Sequence, residues 1–439
     1  MKDMSSTRKT VFQSIIISVV TGLFTGAVIF AFKYVSSGVI SVSKQCYSFV
    51  RENPQYLPLL LVGAFVLALA LTFLLKFEPN AKGGGIPTSI AALRGLISFN
   101  WLKNLITVFI AANVTYLCGF PLGNEGPSVQ IGTAIGKGSA KLFGKRIPSG
   151  DKLVMTSGAC AGFAAATGTP LTGILFAFEE AHKRFSPLIF TASATSVISS
   201  VTLVRVLSRL AGVSPTLFEF DIKTQLPTRL IWIAVVIGIF CGLCAVLFTK
   251  CHSVVNRLLN NKLSNVHTFI KIGVIFVLSA LAGFFIDELT GSGHSLIESL
   301  LHKSGVIYIL FLYLILRAFF LIFGNNAGVT GGLFLPRLTF GALIGAIIGT
   351  ALISFGLVDI KYYPVMVIIG IASFIGASSK IPIMAVAFSI EALCGFSNII
   401  SILVGVLISF AITEIAETKS FIDAVVDTKN KDIQKTDAP

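Results

Sequence analysis

The stretch Gly123-Asn124-Glu125-Gly126-Pro127-Ser128-Val129-Gln130 places a carboxylate, two glycines and a proline inside a strongly apolar sequence. Glycine admits backbone conformations closed to other residues and leaves N–H groups exposed. Pro127 suits the first turn of a helix, where its missing N–H costs nothing, so Ser128 onward is expected to run as helix. The N–H groups at a helix start carry partial positive charge and attract an anion. Glu125 sits at that same start. A carboxylate and a dissolved anion would therefore compete for one electropositive spot.

Two further elements follow the same plan: Gly83-Gly84-Gly85-Ile86-Pro87 and Gly331-Gly332-Leu333-Phe334-Leu335-Pro336. One glycine–proline turn means little in an apolar protein. Three of them, each expected to open a helix and spread over both halves of the chain, make a constellation.

The elements that must position them are membrane helices. The chain has 439 residues, 54% hydrophobic and 12% charged, with a mean hydropathy of +0.87. A soluble domain carries about 25% charged residues. The formal charge of +14 lies in short loops and at the ends, as the positive-inside rule requires; no aromatic-basic module for nucleic acid accompanies it. The run 11–32 is too long for a signal-peptide core and reads as a first membrane helix after a polar, cytoplasmic segment at 1–10. Helices are expected at 11–35, 57–77, 101–119, 128–143, 153–166, 170–182, 187–211, 228–258, 268–287, 305–323, 333–354, 363–377, 382–394 and 398–416. Several are shorter than the roughly 20 residues of a simple span. Short, interrupted helices in corresponding halves point to a transporter site. Residues 418–439 read as a charged cytoplasmic tail, and 137–152 as a basic loop against headgroups.

An internal repeat supports this reading. With Pro170 placed over Pro382, Phe176 meets Phe388, Glu179 meets Glu391, and Gly158 meets Gly370. A similar shift puts Gly123 over Gly332 and Pro127 over Pro336. The repeats are expected at 11–212 and 228–417, joined by a linker at 213–227. The pattern leaves parallel and inverted relations open.

In these motifs and their order, the sequence resembles the CLC family of chloride channels and proton-coupled chloride transporters, whose elements read GSGIP, GREGP and GxFxP. The segment 168–180, ending Glu179-Glu180, also looks like the family's stretch before its internal glutamate. The resemblance runs from about residue 11 to 425. It implies an all-α polytopic membrane protein of two inverted repeats of short, tilted and broken helices, assembled as a homodimer in the plasma membrane. It also implies chloride or similar small anions and protons as substrates, lipid as partner, and no cofactor. Glu125 matches the gating glutamate and Glu180 the internal proton-transfer glutamate. Gly84, Gly85, Ile86, Gly126, Leu333, Phe334 and Leu335 fall at the helix starts around the central anion, and Phe421 aligns with the family's anion-contacting tyrosine. The implied activity is proton-coupled anion antiport gated by Glu125; a passive anion channel, or an exchanger of relaxed selectivity, is the alternative.

Three positions depart from the pattern. Gly84 stands where the family has a serine hydroxyl, Asn124 where it has an arginine, and Phe421 lacks the tyrosine hydroxyl. Weak central binding is the expected result. An intramembrane hydrolase would need a nucleophile and base constellation, and the scattered histidines with no GxSxG or HExxH element argue against one. Cys241 and Cys244 have CxxC spacing but read as buried thiols rather than a metal or redox site. Glu179 and Glu391 read as structural or vestibule carboxylates, and Arg317 as paired or snorkelling. Arg337 is left open between an anion-drawing and a structural role. The glycines of 341–349 read as helix-packing contacts.

Overall fold

The computed structural model describes residues 2–143, 150–218, 220, 222, 224–263, 265–393 and 395–436. Parts of the expected basic loop, linker and tail, and Cys394, lie outside the described residues. The first repeat contains α1 (Lys2–Glu52), α2 (Leu57–Phe77), α3 (Ile86–Leu93), α4 (Trp101–Leu117), α5 (Glu125–Phe143), α6 (Gly150–Thr167), α7 (Pro170–Phe176) and α8 (Pro187–Ala211). The second contains α9 (Trp232–Arg257), α10 (Thr268–Phe285), α11 (His294–His302), α12 (Ile307–Ala327), α13 (Phe334–Ser354), α14 (Tyr363–Ser379), α15 (Pro382–Ala392) and α16 (Ile399–Ile415). A last helix, α17 (Phe421–Thr436), stands outside the duplication.

Local chemistry sets many of the starts. Proline occupies the first turn of α2, α3, α7, α8, α14 and α15, where no N–H is needed. The Asn100 side chain accepts from the Leu102 and Lys103 N–H groups to cap α4. Among the described residues, nine helical stretches are long and apolar enough to cross a membrane. Helices α3, α7 and α11 are too short to do so.

The duplication is visible in the packing. Helix α5 packs on α6 as α13 does on α14; α1 on α8 as α9 on α16; α2 on α4 as α10 on α12; α3 on α5 as α11 on α13. The pairs α2–α10, α5–α13 and α7–α15 join equivalent elements across the repeats. Reciprocal contacts follow: Glu179 accepts from the Ile383 and Met384 N–H groups at the start of α15. Its counterpart Glu391 accepts from Leu171 and Thr172 at the start of α7. The two are therefore structural, each neutralising the other repeat's helix start.

Within each repeat one helix pair meets backbone to backbone. A Cβ on Gly132 would collide with the Gly158 carbonyl, and one on Gly341 with the Gly370 carbonyl. The glycines of 341–349 are packing contacts, as expected.

Three expectations need correction. Helix α1 does not end near residue 35 but continues to Glu52, because nothing in 36–52 breaks it. The segment 170–182 is not one helix: α7 ends at Phe176 and a wider π turn spans Ala177–Ala181. The polar end of the chain is not a plain tail, since α17 buries Phe421, Ile422, Val425 and Val426 and packs on α3.

Candidate functional site

The three glycine–proline elements come together at one point. Gly123 and Gly332 form an antiparallel bridge, with the Gly123 N–H donating to the Gly332 carbonyl at 2.9 Å and the reverse bond at 2.6 Å. The Gly331 N–H reaches the Gly83 carbonyl at 3.3 Å, and Tyr116 Oη donates to the Gly123 carbonyl at 2.6 Å. Gly85 takes φ +76°, and a Cβ there would run into the backbone of Gly126 and Pro127. A Cβ on Gly126 would meet the Gly84 carbonyl and the Gly332 Cα. The starts of α3, α5 and α13 thus touch through bare backbone, and their positive ends point inward together. Ile86, Leu333, Phe334 and Leu335 are all buried at this junction.

Glu125 is fully buried, with no protein hydrogen-bond partner of good geometry for either carboxylate oxygen. It folds back over Gly123: a Cβ there would strike Glu125 Oε2 and touch Leu335 Cβ at 3.2 Å. The carboxylate therefore lies against the start of α13. Beside its neighbours Gly123, Asn124 and Leu335 is a cavity of about 570 Å³, also lined by Lys33, Tyr116 and His294 among others. Lys33 is within electrostatic reach of Glu125 and donates to the Pro215 carbonyl at 3.3 Å. The sequence reading overlooked Lys33, although a lone lysine inside an apolar helical run was the available signal. It also overlooked Gln130 and Asn104, which are buried and hydrogen-bonded to each other at 3.1 Å beneath α5.

Gly84 differs from its neighbours. A Cβ there would enter the Leu333 side chain, 2.6 Å from Cγ. The volume that a serine side chain would take is thus filled by Leu333.

Glu180 lies in the π turn, 4% exposed, and its Oε1 has no partner. Its charged neighbours are Lys183, Arg337, Asp423 and Glu179. His182 does not pair with it; Nε2 of that ring meets Thr156 Oγ1 at 2.8 Å. Phe421, at the start of α17, packs on Phe248 and His252 at ring-centroid distances of 5.1 and 4.8 Å. The Arg337 guanidinium stands 5.3 Å from the Phe421 ring centroid. Arg317 is buried, with Nη2 donating to the Glu288 carbonyl at 2.5 Å; this is a structural contact.

These features define a class: a multi-pass helical membrane protein whose helix starts converge on a shared electropositive point, with one buried carboxylate on it. The comparisons with known proteins name the family. The model of the voltage-gated chloride channel family matches residues 66–414, and the chain belongs to that family. It is 27% identical over 347 residues to the H(+)/Cl(-) exchange transporter ClcA of Klebsiella pneumoniae (strain 342), covering 76% of this chain and 71% of the relative. The fold is similar to that of a slow cyanobacterial Cl-/H+ antiporter, with a TM-score of 0.86, 20% identity, and 95% of this chain and 98% of that one covered. A eukaryotic CLC transporter aligns with a TM-score of 0.79 at 18% identity, covering 95% of this chain and 74% of that one. A CLC-type fluoride/proton antiporter gives 0.73 at 18% identity, covering 91% and 95%. The architecture is that of the CLC transporters, with two inverted repeats of broken helices.

Proposed function

We propose that this chain exchanges chloride or a similar small anion for protons, with Glu125 as the gate. One observation carries the reading: the Glu125 carboxylate lies on the convergence of three helix starts, where an anion would also be drawn. When ionised, the side chain competes with the anion for that field. When protonated, it loses its attraction to the helix starts and yields the place. Only loosely aligned backbone N–H groups, its own and that of Leu335, reach its carboxylate, and an anion at the same place would take over those donors. Glu180 delivers the proton from the other side by way of water, and its unpartnered oxygen supports that role. Backbone N–H groups at Gly85, Gly126, Leu333, Phe334 and Leu335 face the anion, with Gly84 and Phe421 at its margin; the Ile86 N–H, expected there too, is taken up by the Gly84 carbonyl at 2.9 Å. Coupling follows because neither ion advances unless the other has moved.

The repeats span 11–212 and 228–417, and both termini face the cytoplasm of a cell whose plasma membrane holds the protein. The active form is a homodimer. Helices α7 and α15 support this: they are too short to span, and their starts carry partly exposed carboxylate caps, so lipid alone is a poor cover for them.

A second reading, an anion channel or an exchanger of relaxed selectivity, has its own support. Gly84 and Phe421 offer no hydroxyl, and a hydrogen bond to a charged group is worth about 1.5–3 kcal/mol. Reversal potentials of purified protein in planar bilayers, under a pH gradient, separate the two. An antiporter reverses away from the chloride equilibrium potential, and Glu125→Gln brings it back while anion current persists. A wild type already reversing at the chloride potential decides for the channel. A Glu125→Gln variant that still moves protons uphill removes Glu125 from the gate.

A further inference from the structure

Arg337 is 1% exposed and heads the fully buried large side chains. It sits in the first turn of α13, next to Pro336. Side chains in a helix lean toward its N-terminus, and Arg337 does so: Nε donates to the Leu333 carbonyl at 2.9 Å. Nη1 donates to Ser379 Oγ, and the guanidinium faces the Phe421 ring. None of these partners carries negative charge. Among the described residues no carboxylate forms an ion pair with it. Glu180 is within electrostatic reach but not in contact.

This placement runs against three rules at once. A cation at a helix start opposes the dipole. A buried charge requires a counter-charge in contact with it, and Glu180 acts on Arg337 only from a distance. Arginine cannot escape by losing its proton. The positive field of the converging helix starts adds to the imbalance. A negative charge supplied from outside the protein resolves all three, and the transported anion is the one at hand. The position also suits the side-chain deficit. Leu333 fills the space beside Gly84 where a hydroxyl would project, and the Phe421 ring has none.

We propose that Arg337 is the side-chain ligand and specificity determinant for the anion on the Glu180 side of the convergence, its guanidinium replacing the two missing hydroxyl donors. This rests on the anion-transport reading above. It adds that the site selects by a planar, multi-donor cation. Nε and one Nη1 hydrogen are engaged, which leaves Nη2 and the second Nη1 hydrogen as donors. A guanidinium matches a planar oxyanion through paired N–H donors, whereas an ammonium is a point charge. Nitrate is therefore favoured relative to chloride more than a lysine would allow.

The test uses full-length protein in detergent and in liposomes. Sodium chloride and sodium nitrate are titrated calorimetrically into wild type, Arg337→Lys and Arg337→Met, and efflux of each anion is measured. Arg337→Met is expected to weaken binding of both anions about tenfold or more. Arg337→Lys, which keeps the charge, is expected to bind chloride within a few-fold of wild type and to lose the relative preference for nitrate. Wild-type chloride affinity in Arg337→Met overturns the proposal while leaving anion transport standing. So does an unchanged nitrate-to-chloride ratio in Arg337→Lys, the deciding measurement if the Met variant does not fold. A wild type that neither binds nor carries either anion overturns the proposal and the transport reading together.

Discussion

The starts of α5 and α13 are equivalent positions in the two repeats, and they differ in one respect. Both begin with a glycine held in the bridge, and both have proline in the first turn. At α5 the side chain over the junction is Glu125; at α13 the charge one turn in is Arg337. Each charge has an opposite one within reach on its own side, Lys33 for Glu125 and Glu180 for Arg337. Duplication gave two copies of an anion-attracting backbone. On the reading proposed above, one copy carries its own removable anion and the other a fixed cation. A negative charge that loses its charge on protonation suits a gate; a charge that cannot be lost suits a binding site.

Four perturbations break or sharpen that contrast. The largest effect is expected from Gly85→Ala, which forces a Cβ onto the Gly126 backbone at positive φ. The loss is about 2–4 kcal/mol, read as a lower midpoint of heat-induced aggregation in detergent. A normal midpoint would mean that the helix starts do not pack as described. Next is Glu180→Gln. Chloride-driven proton uptake into liposomes should fall at least about tenfold, the effect of about 1.4 kcal/mol on a barrier, while calorimetric chloride affinity stays put. A parallel loss of chloride binding would place Glu180 in the anion site.

Third, Gly84→Ser alone should leave chloride affinity nearly unchanged, because Leu333 occupies the space for the new side chain. Adding Leu333→Ala makes room, and the pair is expected to tighten chloride about tenfold. Tighter binding in the single variant would show that Leu333 yields easily. The smallest effect concerns the symmetric caps. Glu179→Gln and Glu391→Gln should each cost about 0.5–2 kcal/mol, as loss of a helix cap does, and by similar amounts. Strongly unequal losses of thermal stability would show that the repeats no longer share the stress evenly.

Much of the junction was legible because its requirements are local. A glycine pressed against another backbone and a proline in a first turn leave marks at fixed spacing, so residues 83–87, 123–127 and 331–336 stood out. The shift pairing Glu179 with Glu391 was equally readable, though the crossed capping it produces was not, since each carboxylate serves a helix in the other repeat. Helix α17 was misread through its charges. Yet Phe421, Ile422, Val425 and Val426 recur at helical spacing, the period of an amphipathic helix. Arg337 could be flagged but not interpreted, because Ser379 and Phe421 are distant in sequence and meet it through folding.

The glycine seams between α5 and α6, and between α13 and α14, have a mechanical consequence. Helices locked main chain to main chain make a stator. They cannot rock past each other without prising apart contacts that leave no room for even a methyl group. On the function proposed above, the part that moves beside these seams is one glutamate side chain, Glu125. Rotamer changes take nanoseconds or less when unhindered, against microseconds to milliseconds for collective domain motions.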